Sequence, residues 1–396
     1  MIGERLYQAR LLAGLTQDAL AGALTRQGHP ATKAVISKYE HNKSTPSAGF
    51  LLLTASILNV PPSYFTHQPS LRVVWQAFRR ADGLADGDQH AVKTYAADLA
   101  ELHIELYTLL YPHPKPSLPA PVVVRSNEDA EAAAAQLRDF WGLDDHPIDS
   151  LTHTAESNRV IVVGWRKGGE KFDGLSGWGG ETHPVTVINL AASLDRRRST
   201  LAHELGHLVM NMAHIDQESE VEKLAQRFAA AFLVPAARAR DELGTRRTHL
   251  SLDEIGILKR KYGLSMSAWI HRAHSLEIIS GQLARTLHKE MNQRGWLKPE
   301  PVEFIADETP TQLDQMAHRA VSEGLMSADR IHRAYPDWVA AGPMHAAAGH
   351  LTVHDLLAMP EKQRNEIMAD AFALAAAEDF ETFDASDDLD FNDAAF

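Results

Sequence analysis

At 396 residues and 44% hydrophobic side chains, the chain can hold about two to four domains with buried cores. It has no cysteine, which excludes disulfides and thiolate metal sites and leaves His, Asp and Glu as its strong metal ligands. The net charge is −13, and neither a signal-type apolar start nor a bilayer-length apolar run is present, so a cytoplasmic protein with no membrane partner is expected.

Residues 1–65 read as helices. Ile2, Leu6, Ala9 and Leu12 form one helical face, and Gly14-Leu15 ends it. Thr16 suits the N-cap of a short helix, a turn follows at Gln27–Pro30, a second helix covers Ala31–Glu40, and an apolar helix runs from Phe50 to Leu58. The L-T-Q-x-x-L-A and I-S-K-Y-E stretches resemble the Cro/cI-like (XRE) helix-turn-helix family. That resemblance implies an all-α domain whose second helix enters the major groove of a double-stranded operator. Thr32, Lys33, Ser37 and Lys38 are expected on its outer face, with Gln17 contributing from the preceding helix start and Arg26 and Lys43 as phosphate contacts. Val35, Ile36 and Tyr39 are expected to pack inward. The segment carries six Lys and Arg against three acids, a net +3 inside an acidic protein, which favours phosphate binding. The family usually has Gly after the Glu of the I-S-K-Y-E signature; here His41-Asn42 follows, and Asn also adopts the left-handed turn.

Residues 66–121 are expected to connect two domains. After a linker at 66–72, the apolar spacing of Val73–Leu110 predicts a helical pair, and the proline-rich run at 112–121 a stiff arm.

Residues 122–295 hold the candidate chemistry. An Ala-rich helix is expected over Asn127–Trp141, with strands at Arg159–Gly164 and Val185–Leu190. Between the strands, Gly174–Gly180 reads as a glycine-rich loop with no phosphate-loop pattern, so no organic cofactor is expected. His203-Glu204-Leu205-Gly206-His207 is an H-E-x-x-H sequence. Histidines at i and i+4 share one helical face and can reach one metal, and the glutamate between them can take a proton from a water activated there. Leu201, Leu205, Leu208 and Val209 would hold this helix in a core, with Ser193 or Asp195 as its cap. A second helix from Val221 to Leu233 offers Glu222 on a stripe with Ala225 and Ala229, where small residues allow close approach. Glu222 is the chosen third ligand, with Glu218 and then His214 as the other candidates. Two His and one carboxylate leave a fourth position open, the arrangement of a catalytic zinc. His271 and His274 lack a suitable partner and read as ordinary surface or core residues.

The T-L-A-H-E-L-G-H-L-V block at Thr200–Val209 and the E-K-L-A-Q-R-F-A-A-A-F-L-V-P block at Glu222–Pro235, with Phe172–Trp178 upstream, resemble the ImmA/IrrE family of zinc metallopeptidases. The resemblance implies that His203, His207 and a downstream Glu bind Zn2+ and that Glu204 is the catalytic base. It also implies a protein substrate, a transcriptional repressor of the helix-turn-helix kind.

Residues 296–377 are expected to be mainly helical, without signs of chemistry. Ten acids and no Lys or Arg follow Arg364, so 378–396 reads as a disordered acidic tail. The expected fold class is therefore mainly α with a small β-sheet in the peptidase region, after an all-α N-terminal domain. The expected function is a DNA-binding regulator with zinc-dependent endopeptidase activity, with a homodimer as an option. Two alternatives stand beside it. One is a regulator whose peptidase-like fold only senses a metal or ligand, the other an antitoxin-like binding protein.

Overall fold

In the N-terminal segment the helix signals fall where structure forms: α1 (Ile2–Leu12), α2 (Gln17–Arg26), α3 (Lys33–Glu40) and α4 (Ala48–Leu58), then a 3-10 turn at Pro62–Phe65. Thr16 caps α2 by accepting the Ala19 N–H at 3.1 Å, and Thr32 caps α3 by accepting that of Val35 at 3.4 Å. Leu6, Ala9, Leu20, Leu24, Ile36 and Phe50 meet in one core. Asn42 does take the left-handed conformation, at φ 54°, and its Oδ1 accepts the Gly3 N–H at 3.0 Å. The computed structural model describes residues 2–66, 72–80, 86–111, 117–166, 172–180, 182–336 and 338. The expected acidic tail lies outside the described residues. Among those described, no helix is long and apolar enough to cross a membrane.

The helical pair expected over Val73–Leu110 is half wrong. Val73–Arg80 is a strand, β1, and only Asp86–Leu110 is helix, α5. Val73 and Trp75 pack on a core while Val74 is exposed, the two-residue period of a strand.

After β2 (Val122–Val123) come α6 (Asn127–Phe140), α7 (Leu151–Ser157), β3 (Ile161–Trp165), β4 (Phe172–Gly179) and β5 (His183–Asn189). Ser126 and Asp129 close a capping box at the start of α6. The expected Gly174–Gly180 loop is thus another correction, since it is mostly strand β4. Its glycines mark close approach, because a Cβ at Gly177 would lie 2.6 Å from the Val74 carbonyl oxygen of β1.

The main sheet runs β1-β4-β5-β3, antiparallel except for the β3–β5 pair. Alternation along each strand gives it two faces. Ile161, Val163, Trp165, Leu175, Val185 and Val187 pack with Val92, Tyr95, Ala96 and Leu99 of α5. Val162 and Ile188 face the opposite way, into the core shared by α8 (Leu194–Val209) and α9 (Glu218–Leu233). The short strand β6 (Met210–Asn211) follows α8 and pairs in parallel with β2.

Beyond α9 the chain continues through α10 (Ala236–Leu243), α11 (Leu252–Tyr262), α12 (Met266–Ser275) and α13 (Gly281–Gln293). The 296–377 region was expected to be mainly helical, but its first stretch, 296–311, holds neither helix nor strand. It is fixed by buried carboxylates instead. Glu308 accepts the Leu151 and Thr152 N–H groups at 2.9 and 2.8 Å and pairs with Arg198 of α8 at 2.7 Å. Helices α14 (Gln312–Ser322) and α15 (Ala328–Ala334) then cover Leu102, Leu106 and Leu110 of α5.

The N-terminal domain is joined to α5 by a buried ion pair. Arg5 Nη2 donates to Asp98 Oδ1 at 2.9 Å, and Gln8 donates to the same carboxylate at 3.5 Å. Both charged side chains are buried, so removing either would strand the other.

Candidate metal centre and nucleic-acid surface

Helix α8 begins after Ser193, which occupies the N-cap position without making a side-chain cap bond. Leu201, Leu205, Leu208 and Val209 are all buried, as their spacing predicts. That packing holds His203, Glu204 and His207 within the interior, with Glu204 fully buried. Helix α9 crosses α8 at Gly206, where a Cβ would lie 2.9 Å from Cδ1 of Phe228. The sequence reading attributed close approach to Ala225 and Ala229 on α9. Both are buried, and Gly206 of α8 adds a further small residue at the crossing.

This crossing brings Glu222 to the histidine pair. The His203 and His207 Nε2 atoms are 3.0 Å apart, and Glu222 oxygens stand 3.2 Å from His203 Nε2 and 3.3 Å from His207 Nε2. Tetrahedral ligands at about 2.0–2.1 Å from one ion lie roughly 3.3 Å from each other, so the three donors fit the edges of such a site. Burial alone would raise the Glu222 carboxyl, but hydrogen bonds and charge from His203 and His207 outweigh it and hold the group well below the usual carboxylate range. Glu218 and His214 are exposed and stay outside the cluster. His271 and His274 are exposed too, and they join no metal-ligand group among the described residues.

Strand β4 completes the site from the sheet side, which the sequence reading missed. Ser176 Oγ donates to Glu204 Oε2 at 2.6 Å, entirely within buried space. A Cβ at Gly174 would stand 2.5 Å from Thr200 Cγ2 and 2.8 Å from Glu204 Oε1, so only glycine lets α8 lie this close. The Gly-x-Ser alternation was visible in the sequence. Its pairing with Glu204 depends on the sheet register and was not.

Residues 164–274 match the model of the IrrE N-terminal-like domain, and residues 6–65 match a helix-turn-helix model. The chain joins a helix-turn-helix domain to an IrrE-like peptidase domain. It is also similar to the radiation response metalloprotease IrrE of Deinococcus radiodurans, with 32% identity over 143 residues covering 31% of this chain. The match spans 40% of that relative's length. The IrrE-like domain therefore carries a metallopeptidase-like architecture with a His-His-Glu group able to hold a metal ion.

In the helix-turn-helix domain, α3 presents Thr32, Lys33, Ala34 and Lys38 to solvent, while Ser37 and Gln17 are half-buried. Val35 corrects the sequence reading. It was expected inside, but at 36% exposed it belongs to the outer face. Ile36 and Tyr39 do turn inward, Tyr39 edge-on to Phe50 with ring centroids 4.8 Å apart. Lys33 Nζ lies 3.4 Å from Asp18 between two exposed side chains, a pair weak enough to exchange for a phosphate. The amide nitrogen of Gln17 is committed, donating to Glu40 Oε2 at 2.7 Å. Glu40 is itself buried against Arg10, whose Nε donates to Oε1 at 2.6 Å and whose Nη2 donates to Oε2 at 3.0 Å. Gln17 thus ties the start of α2 to the end of α3 and fixes the angle between the two helices.

Proposed function

We propose that this chain is a DNA-binding regulator whose IrrE-like domain is a zinc-dependent endopeptidase acting on a helix-turn-helix repressor. The observation that carries the reading is three donors 3.0–3.3 Å apart beside a buried glutamate that belongs to none of the three. His203, His207 and Glu222 would hold the zinc. When bound, such an ion acidifies water and polarises a carbonyl. Glu204 takes the proton of the attacking water and later returns it to the leaving amine. Ser176 holds the Glu204 carboxylate in place by donating to its Oε2. The surrounding core limits the water that reaches this carboxylate.

Lys33 and Lys38 are the proposed phosphate contacts, while Thr32, Val35 and Ser37 lie on the helix face that would meet base edges. Gln17 acts mainly by fixing the helix pair. Carrying both domains on one chain raises the local concentration of the peptidase near DNA-bound targets. The support for the substrate class is the pairing of these two domains.

The test combines metal analysis with cleavage. Purified chain should carry zinc in equal molar amount, and His203→Ala should lose it. Glu204→Gln should keep zinc and lose cleavage of helix-turn-helix repressors co-expressed with it. Zinc retained by His203→Ala would overturn the metal site. Regulation that survives Glu204→Gln intact would overturn the enzyme reading in favour of a sensor.

A further inference from the structure

A cavity of about 300 Å³ lies along the edge strand β3, where residues 161–166 all line it. Four elements of the chain build it. Tyr95 and Leu99 come from α5, Ile161 and Trp165 from β3, Leu313 from α14, and Leu12 from the end of α1 in the helix-turn-helix domain. Protein interiors seldom leave voids much larger than a water, and those that stay dry are apolar. This cavity is large and not purely apolar. Arg166, exposed just beyond β3, and Asp314, half-buried on α14, line it with opposite charges. His103 also lines it, and its buried Nδ1 has no hydrogen-bond partner among the described residues.

We infer that this cavity binds a small zwitterion, an α-amino acid with an apolar side chain, and that the helix-turn-helix domain registers its presence through Leu12. The volume equals that of about ten waters, room for a ligand of roughly ten to fifteen non-hydrogen atoms. The guanidinium of Arg166 matches a carboxylate. Asp314 matches an ammonium. Burial raises its carboxyl, a bond from Tyr335 and the charge of His318 offset this only in part, and a ligand cation would supply what is missing. The aromatic and aliphatic walls suit the side chain. His103 remains neutral, because burial and then His183 push it down to about 3, so its ring offers a hydrogen bond without charge.

The link to the DNA-binding domain is structural. Tyr95 and Leu99 flank Asp98, whose buried pairing with Arg5 and Gln8 fixes α1 to α5. A ligand touching Leu12, Tyr95 and Leu99 therefore reaches both sides of the joint. Nothing in this inference depends on the peptidase being active.

The experiment is calorimetric titration of the full chain with L-phenylalanine and L-leucine, alongside phenylalanine amide, which lacks the carboxylate, and N-acetyl-phenylalanine, which lacks the ammonium. At least one free amino acid should bind, and each capped form should bind at least about tenfold more weakly. Arg166→Gln should abolish the preference over the amide, and Asp314→Asn the preference over the acetylated form. Hydrogen exchange in residues 2–12 should slow on binding. No binding of either amino acid at millimolar concentration, or equal binding of free and capped forms, would overturn the site. Unchanged exchange in 2–12 would overturn the coupling. The capped ligands give this answer even if a variant folds poorly.

Discussion

Ser176 on β4 donates a 2.6 Å hydrogen bond to Glu204 on α8, joining the sheet to the helix that carries both histidines. A hydrogen bond to a charged group contributes roughly 1.5–3 kcal/mol. Ser176→Ala should therefore lower kcat for peptide cleavage by about tenfold or more, with KM and zinc content unchanged, and Ser176→Thr should recover part of it. Loss of zinc together with activity would show that Ser176 supports the fold of the site and not the orientation of Glu204.

Gly206→Ala sets two effects against each other. Alanine favours the helix by about 1 kcal/mol. The new methyl would stand 2.9 Å from the Phe228 ring, which is stacked at 5.8 Å on Phe232 and has little room to yield. Overpacking costs about 1–3 kcal/mol, so net destabilisation is expected. Calorimetry should show Tm lower by a few degrees, and Phe228→Leu in the same chain should restore part of it. An unchanged or higher Tm would mean that α8 and α9 separate easily.

His103 gives a pH dependence with a definite sign. Its imidazole stays neutral in the folded chain down to about 3, whereas the unfolded chain takes up the proton below about pH 6.5. Acid therefore favours unfolding. Stability attributable to His103 is fully present above pH 7 and falls by about 1.4 kcal/mol per unit between roughly pH 6 and pH 4. Urea denaturation of the wild type and His103→Leu across that window should give a shallower dependence for the variant. Parallel curves would mean that the ring is reached by solvent.

Lys33 and Lys38 project from α3 into solvent. Each phosphate contact contributes about 0.9 to the slope of log affinity against log salt, for any duplex sequence. Lys38→Ala should lower that slope by about one contact in a fluorescence titration with duplex DNA, and Lys33→Ala likewise. A slope unchanged in both would remove α3 from the DNA surface.

The sequence alone determined the local devices. The i, i+4 histidines, the glutamate between them and the apolar stripe of α8 could all be read from helical periodicity, as could the caps at Thr16 and Thr32. Each involves residues within a turn or two of one another, where backbone geometry fixes who can meet whom. Tertiary structure decided what depends on contact between distant segments. Val73–Arg80 became a strand because β4 offered it an edge, although its two valines and Trp75 already carried a β-forming signal. Gly174 and Gly177 looked like a loop, and only the nearness of α8 and β1 shows that they make room inside a sheet. Ser176 meets Glu204, and Asp98 meets Arg5, across separations of 28 and 93 residues. No periodicity reports such pairs, because they are set by sheet register and helix crossing.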